Sequence, residues 1–455
     1  MKKTNITKEK KFRKISKVQS TKKTESPSDF LHDKSSNKKQ IFTWLGILIF
    51  LAIGTTLAVF YARGYRFSIG DGEPKLSKTG ILNISSTPQG SQVFINDHLT
   101  TATNDSINLT PGKYSIKIAK DGYNDWLKDV EIKQEEVTTT QALLFPRSPS
   151  LKSISTLGVN EAVMDPTGTK LAFKIASASA RQNGIYIFDM TQRSLPILQG
   201  QGSSQLADDT INSFSSSNIS FSPDGKQLLA SISATQAIDD LGPTQENPDT
   251  ATYYLLEIDS FNDNPRDITP TIFSTLDLWT NQTTDKENSR IKSLKPDLAN
   301  FYQENFNVLS WSPDEKKILY QASKSAEMPI FIKKRRIGNN LLYERRDLEK
   351  NAIYVYDTTE DINTRVVGPT EKICHDFDRN CTVTFNWFPD SEHIVYVIDG
   401  KINIVENDGA NLTTIYAGPF LGRYVFPWPD GSKLVILTDL GNTNVPPTLY
   451  TIGLK

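Results

Sequence analysis

Three patterns of apolar and polar positions follow one another along this chain. The first is a continuous apolar run, "IFTWLGILIFLAIGTTLAVFYA", Ile41 to Ala62, with no charge from Gln40 onward. At ~1.5 Å per residue a helix of this length crosses a ~30 Å hydrocarbon layer. The second is strict alternation between about residues 79 and 146. There "ILNI", "QVFIN", "KYSIKIA", "KDVEIK" and "VTTTQALL" read as strands, and Pro88-Gln89-Gly90 and Pro111-Gly112 read as turns. A small sandwich of antiparallel strands is predicted. The third is a repeat over 149–455. "MDPTGTKLAFKIA", "FSPDGKQLLASIS", "WSPDEKKILYQAS", "WFPDSEHIVYVID" and "WPDGSKLVILTD" each join a Pro-Asp turn to an apolar strand.

Each repeat continues into a second strand: "GIYIFDM", "YYLLEID", "AIYVYDT", "KINIVEN" and "TLYTIGL". Outer strands such as "PRDIT" and "TTIYA" follow in places. A four-stranded antiparallel unit repeated at about 40 residues predicts a β-propeller. The turn aspartates Asp165, Asp224, Asp314, Asp390 and Asp430 are spaced 59, 90, 76 and 40 residues apart, so long inserts separate some repeats. In Ser222-Pro223-Asp224-Gly225, Pro suits the second position of a type I turn, Asp the third and Gly the fourth. The five aspartates are therefore predicted to be structural blade turns. The last repeat supplies three strands, and "LKSIST" after the sandwich is predicted to fill its outer position. Five blades result, or six if a degenerate one lies between Thr271 and Asn307. That stretch reads as an insert with a helix, "PDLANFYQENF", whose Leu298, Phe301, Tyr302 and Phe306 share a face.

Charge divides the chain. Residues 1–40 hold 13 Lys and Arg against 4 Asp and Glu, and the remaining 415 hold 38 against 48. The basic arm has no apolar period and reads as a disordered cytoplasmic tail. Residues 41–62 then read as an uncleaved transmembrane helix with Trp44 and Tyr61 near its ends, and 63–78 as a linker. The body would lie outside the cytoplasm, a single-pass protein of the cell membrane. An acidic body makes nucleic acid a poor partner.

Two stretches resemble known families. Ser86-Thr87-Pro88-Gln89-Gly90-Ser91, Ile95-Asn96-Asp97, Leu109-Thr110-Pro111-Gly112-Lys113-Tyr114, Lys120-Asp121-Gly122-Tyr123 and Trp126 make 79–146 similar to the PEGA domain, a β-sandwich of bacterial surface and membrane proteins. The tetrapeptide that names that family is here Pro-Gln-Gly-Ser. The five repeats resemble the TolB-like family of WD-type bacterial propellers. The fold class is thus all-β: one N-terminal transmembrane helix, a PEGA-like sandwich and a C-terminal propeller.

Catalytic signatures are sparse. No G-x-S-x-G, phosphate loop or dinucleotide fingerprint occurs, and the Asp-Gly spacing fails the sialidase repeat. Four His argue against a His-built metal centre, and no cofactor is expected. Cys374 and Cys381, the two cysteines, lie in "KICHDFDRNCTV"; a disulfide is the expectation outside the cytoplasm, with free thiols the alternative. Lys333 to Arg336 with Arg345 and Arg346 form a basic island that reads as a solvated loop. The expected function is a membrane-anchored, non-enzymatic envelope scaffold whose propeller binds a protein or glycan. A propeller glycan hydrolase or lyase is the alternative.

Overall fold

The computed structural model describes residues 36–62, 65–70, 73–155, 157–191, 202–233, 251–333, 340–370 and 383–455. The chain divides into two compact units, Met1–Ala62 and Arg63–Lys455. The first contains α1 (Ser36–Ala62), whose segment Ile41–Ala62 is long and apolar enough to cross a membrane. It has no packed face; Phe42 and Phe50 are each 77% exposed. Within the helix the Thr55 hydroxyl donates to the Leu51 carbonyl (2.8 Å) and that of Thr56 to the Ala52 carbonyl (2.7 Å).

The second unit opens with a feature that the sequence pattern missed. β1 (Tyr65–Gly70) and β2 (Glu73–Lys78) form an antiparallel hairpin inside the stretch read as linker. The sandwich follows: β3 (Gly80–Thr87), β4 (Gln92–Ile95), β5 (His98–Ala102), β6 (Asp105–Leu109), β7 (Gly112–Ala119), β8 (Trp126–Ile132) and β9 (Val137–Leu143). One sheet has the order β6-β3-β9 and the other β5-β4-β7-β8. Alternation puts Leu82, Ile84, Val93, Ile116, Ile118 and Val130 into a shared core. The prediction of antiparallel strands throughout fails at one place. β9 joins β3 in parallel, because the chain crosses from the second sheet back to the first before laying it down.

Five four-stranded antiparallel sheets make the propeller. β10 (Leu151–Ser153) precedes them. The first blade holds β11 (Val159–Met164), β12 (Lys170–Ile175), β13 (Gly184–Asp189) and β14 (Ser203–Asp208). The second holds β15 (Asn218–Phe221), β16 (Gln227–Ile232), β17 (Thr252–Glu257) and β18 (Arg266–Asp267). Then come α2 (Ile272–Ser293) and α3 (Pro296–Asn305). The third blade holds β19 (Phe306–Trp311) and β20 (Lys317–Ala322), an insert hairpin of β21 (Ala326–Glu327) and β22 (Asp347–Leu348), then β23 (Ile353–Asp357) and β24 (Ile362–Val367). The fourth holds β25 (Thr384–Trp387), β26 (His393–Ile398), β27 (Lys401–Glu406) and β28 (Thr413–Tyr416). In the fifth, β29 (Val425–Pro427), β30 (Lys433–Thr438) and β31 (Thr448–Gly453) are completed by β10, which pairs Leu151 with Ile452. Leu151–Ser153, the start of "LKSIST", thus take the outer position that the sequence left open.

The stretch proposed for a sixth blade is helical. α3 buries Leu298 and Tyr302 against the third blade as its spacing predicts, but Phe306 starts the next strand. α2 was not foreseen. It is mostly exposed and polar; Ile272 and Trp279 pack on Leu229 and Leu255 of the second blade, and Ile291 near its end packs on the third-blade cluster. Shared apolar clusters join the first blade to the second, the third to the fourth, the fourth to the fifth and the fifth to the first. Within the third blade, Phe306, Tyr320 and Tyr354 stack with centroids 3.5 and 5.6 Å apart.

Three of the inserts contribute to the core: Ile272 and Leu298, Met328 and Leu348, and Phe214 are all buried. Residues 236–250 lie outside the described residues. Arg346, read as part of a solvated basic island, is held inside the third blade. It pairs with Glu344 (2.7 Å) and Asp361 (3.1 Å), and Asp361 is fully buried. Asp361 also accepts the amides of Phe331 and Ile332 and the hydroxyl of Tyr356. Lys334–Arg336 lie outside the described residues.

The five aspartates sit in the turns between first and second strands. The Gly225 amide donates to the Ser222 carbonyl at 2.9 Å, closing the turn as read. Its fourth position takes a positive φ: +70° at Gly168, +69° at Gly225 and +65° at Gly431. Where the repeat lacks glycine, Glu315 and Ser391 adopt the same conformation, at +57° and +61°. The aspartates differ in what they hold. Asp165 is buried and accepts the amides of Thr167 (3.1 Å), Thr169 (2.7 Å) and Lys170 (2.6 Å). Asp430 is exposed and accepts one amide, Ser432 at 2.8 Å. Asp165→Ala should therefore cost ~2–3 kcal/mol and Asp430→Ala under ~1 kcal/mol. Urea unfolding of the detergent-solubilised chain measures both; equal losses would contradict the ranking.

Candidate functional site

Two places on the body stand out, the seam between sandwich and propeller and the loop end away from it. At the seam, β8 lies on the turn end of the fourth blade. Alternation points Trp126 and Lys128 the same way, toward the turn after β27. The Trp126 indole N–H donates to Glu406. Lys128 Nζ lies 2.6 Å from both Glu406 and Asp408. Asn411 donates to Glu406 at 3.0 Å and accepts the Leu127 amide at 2.7 Å. Burial opposes the Lys128 charge, but the two carboxylates outweigh it and raise its pKa above the ordinary lysine value. The third-blade insert reaches the same strand: Asn340 donates to the Asp129 carbonyl at 2.8 Å, and the Asp129 amide donates to the Tyr343 hydroxyl at 3.1 Å.

Apolar contacts accompany this polar clamp. Phe145, just past β9, packs in one cluster with Phe388, Val395, Ile452 and Leu454 of the propeller. Its ring meets those of Phe388 (6.4 Å) and His393 (5.9 Å) edge-on. His393 is buried, and its Nδ1 sits 2.7 Å from Asp390 Oδ2. Burial disfavours the imidazolium, yet Asp390, with Glu406 and Glu392 further off, raises its pKa above the usual value. Burial likewise acts against the Asp390 carboxylate, while His393 and the amides of Glu392 and His393 bring its pKa below the usual value. Beside this pair is a cavity of about 580 Å³, with β9 on one side and the Phe388–Asp390 and Pro429–Gly431 turns on the other.

The opposite end follows from strand alternation. In an antiparallel blade the first and third connections share one end, and the second and the interblade connections share the other. The short turns 165–169, 222–226, 312–316, 388–392 and 428–432 are all first connections, so the sandwich occupies their end. The connections 209–217, 268–305, 323–352 and 439–447 leave and return at the far end, although 268–305 runs back to the 312–316 turn through Arg290–Glu315 (2.8 Å) and 323–352 to the sandwich through Asn340 and Tyr343. A second cavity of about 420 Å³ opens there, lined by Gly158, Leu440, Val445, Pro446 and Tyr450. Leu421, Leu440 and Val445 are exposed on these loops, at 44%, 48% and 46%.

The sequence-selected residues do not converge on one centre. The turn aspartates are distributed one per blade; Asp390 and Asp430 line a common cavity. Cys374 and Cys381 lie outside the described residues. Among the described residues no group of three or more His, Cys, Asp and Glu gathers as a metal site requires. The first strands of the five blades bear a single carboxylate, Glu161, ion-paired to Lys174 at 2.8 Å. Trp126, Glu406 and His393 were invisible as a site in sequence, since 280 residues separate the first two.

The body is therefore a β-sandwich fused to a five-bladed propeller. Residues 79–147 match the PEGA domain. No curated protein matches the chain. Among solved structures, a putative TolB from Agrobacterium tumefaciens is similar at 16% identity over 65% of this chain and 79% of that one, with a TM-score of 0.20. TolB from Acinetobacter baumannii is similar at 16% identity, 75% and 60% coverage and a TM-score of 0.22. Pyrococcus horikoshii acylaminoacyl peptidase shares 11% identity at 63% and 36% coverage, with a TM-score of 0.18. Such scores bear no functional weight.

The seam generates two expectations. Glu406→Ala leaves the Trp126 N–H without its acceptor and Lys128 with one carboxylate, and should cost ~2–4 kcal/mol by urea unfolding. The pair Asp390–His393 should make stability pH-dependent. A raised His393 pKa adds stability that is full below ~6.5 and lost as pH rises through the folded value; a lowered Asp390 pKa adds stability present above ~3.9 and lost as pH falls through its folded value. The stability gap between the natural chain and His393→Gln should thus be wider at pH 5 than at pH 9. A gap independent of pH would remove the charged pair from the account.

Proposed function

We propose that this is a membrane-anchored binding protein of the cell envelope. α1 lies in the bilayer, the basic arm is cytoplasmic, and the sandwich and propeller stand outside. The partner, a protein or a glycan, is engaged at the loop end of the propeller. One observation supports this most: the sandwich lies on the short-turn end, while the opposite end carries three exposed apolar side chains, Leu421, Leu440 and Val445, beside an open cavity. Function on propellers concentrates in such loops. A resemblance to PEGA domains of bacterial surface proteins agrees with the location.

The runner-up, a glycan hydrolase or lyase, needs two carboxylates at a set separation in one pocket. The single inner-strand carboxylate, already paired with Lys174, favours binding over that chemistry.

The topology is tested by adding protease to intact spheroplasts, which should remove the body and spare an N-terminal stub. A body protected until lysis overturns it. Photo-crosslinking residues placed at Leu440 and Val445 should each yield a partner adduct in cells, whereas one at Thr167 on the turn end should not. Adducts only from the turn end refute the loop-end reading. Turnover of a glycan by the purified chain, lost in Glu161→Gln, would install the enzyme instead.

A further inference from the structure

Six consecutive residues of β9, Thr138 to Leu143, line the cavity at the seam. Side chains of a strand alternate between faces, so an unbroken run borders a cavity through its backbone edge. The direction of that edge is fixed by the pairing with β3. The Ile81 amide donates to the Glu136 carbonyl and the Leu144 amide to the Thr87 carbonyl, each at 2.9 Å. Counting back by twos, the amides of Ala142, Thr140 and Thr138 point into β3. The amides and carbonyls of Thr139 and Gln141 point the other way, into the cavity. β9 is the last strand of its sheet. Beyond its end the edge is already used, the Asn124 amide donating to the Phe145 carbonyl at 2.8 Å. Trp126, Lys128 and Val130 of β8 line the same slot.

An open edge normally has Lys, Pro or a bulge to discourage pairing. From Val137 to Leu143 the sequence is Val-Thr-Thr-Thr-Gln-Ala-Leu, with no charge and no Pro. The edge is recessed instead, facing the turns of the fourth and fifth blades. A cavity of about 580 Å³ admits a few extended residues and not a second sandwich with its sheet behind it. Its lining carries Asp390, Glu392, Glu406 and Asp430 against Lys128 and Lys455; Asp390 is paired with His393, Glu392 with Lys317 and Glu406 with Lys128, while Asp430 has no ion pair among the described residues and is the carboxylate open to a cationic occupant. We infer that the free edge of β9 is a docking strand for an extended, cationic peptide segment of a partner protein, added by backbone pairing. The inference rests on the reading of the body as a binding protein, and it assigns a second contact distinct from the loop end.

The probe is a fluorescein-labelled decapeptide of alternating Lys and Val, titrated by anisotropy with the full chain in neutral detergent. Its acidic counterpart alternates Glu and Val, and a third form is N-methylated at the six central residues. The Lys-Val peptide should bind, the Glu-Val peptide should bind at least about tenfold more weakly, and N-methylation should cost about tenfold or more. Thr139→Pro removes one cavity-facing N–H and no bond to β3, and should weaken binding about fivefold with the unfolding midpoint little changed. If that variant does not fold, the N-methylated peptide asks the same question of the unaltered chain. Asp430→Lys should reduce Lys-Val binding and improve Glu-Val binding. No binding of the Lys-Val peptide, or equal binding of its N-methylated form, overturns the docking strand. Either result alongside intact crosslinks at Leu440 leaves the loop-end reading standing and removes the slot alone.

Discussion

The arrangement of the body depends on one short strand pair. β10, three residues long, completes the fifth blade by pairing with β31. The first strand after the sandwich is thereby bound to the last strand of the propeller. Loop-closure entropy grows only as the logarithm of the enclosed length, so joining residues about 300 apart costs little more than joining 100. Three residues of ladder are still a weak clasp alone. Leu143 and Phe145, immediately upstream, strengthen it by packing into the cluster of the fourth and fifth blades. The sandwich therefore has to sit beside the blade that its own downstream chain completes.

Given that constraint, the polar clamp determines orientation more than stability. Burying Lys128, Glu406 and Asp408 costs desolvation that their attraction largely offsets, so the net gain is modest. A misplaced sandwich, however, would leave Glu406 buried without Trp126 and Lys128. The same logic holds in the third blade, where fully buried Asp361 needs Arg346, Tyr356 and two amides in place. The insert that carries Arg346 then continues to Tyr343 and Asn340 on the sandwich. Its role is that of a strap from the edge of the third blade to β8, which explains why a polar-looking loop contains buried Met328 and Leu348.

What the sequence revealed was what local periodicity encodes. Apolar alternation located the inner strands, and Pro-Asp turns located the blades, because the φ values and hydrogen bonds of a turn are set by four adjacent residues. β5 and β6 escaped because "HLTTA" and "DSINL" are mostly exposed; only Ile107 and Leu109 of β6 pack on the sandwich core, too short an alternation to stand out. α2 escaped for the related reason that its polar positions encircle it, leaving little 3.6-residue period to read. The parallel β3–β9 pair and the Trp126–Glu406 contact escaped because they are set by topology, with no signal in the flanking residues. Arg346 was misread since a basic run looks solvated until its buried carboxylate, 15 residues on, is brought to it.

The two ends of the propeller follow from these same constraints. Short first connections are imposed by the Pro-Asp turn, whose geometry leaves no room for insertion. Length can therefore accumulate only in the other connections, and three of the long ones have acquired buried residues of their own, with Phe214, Leu298 and Met328 as their anchors. An insert fixed in this way keeps its exposed remainder in a defined position at little further entropy cost. The turn end, where all five first connections are short, is the end on which the sandwich is docked. Attachment of the sandwich and anchoring of the inserts thus share one cause, the four-residue turn repeated in every blade.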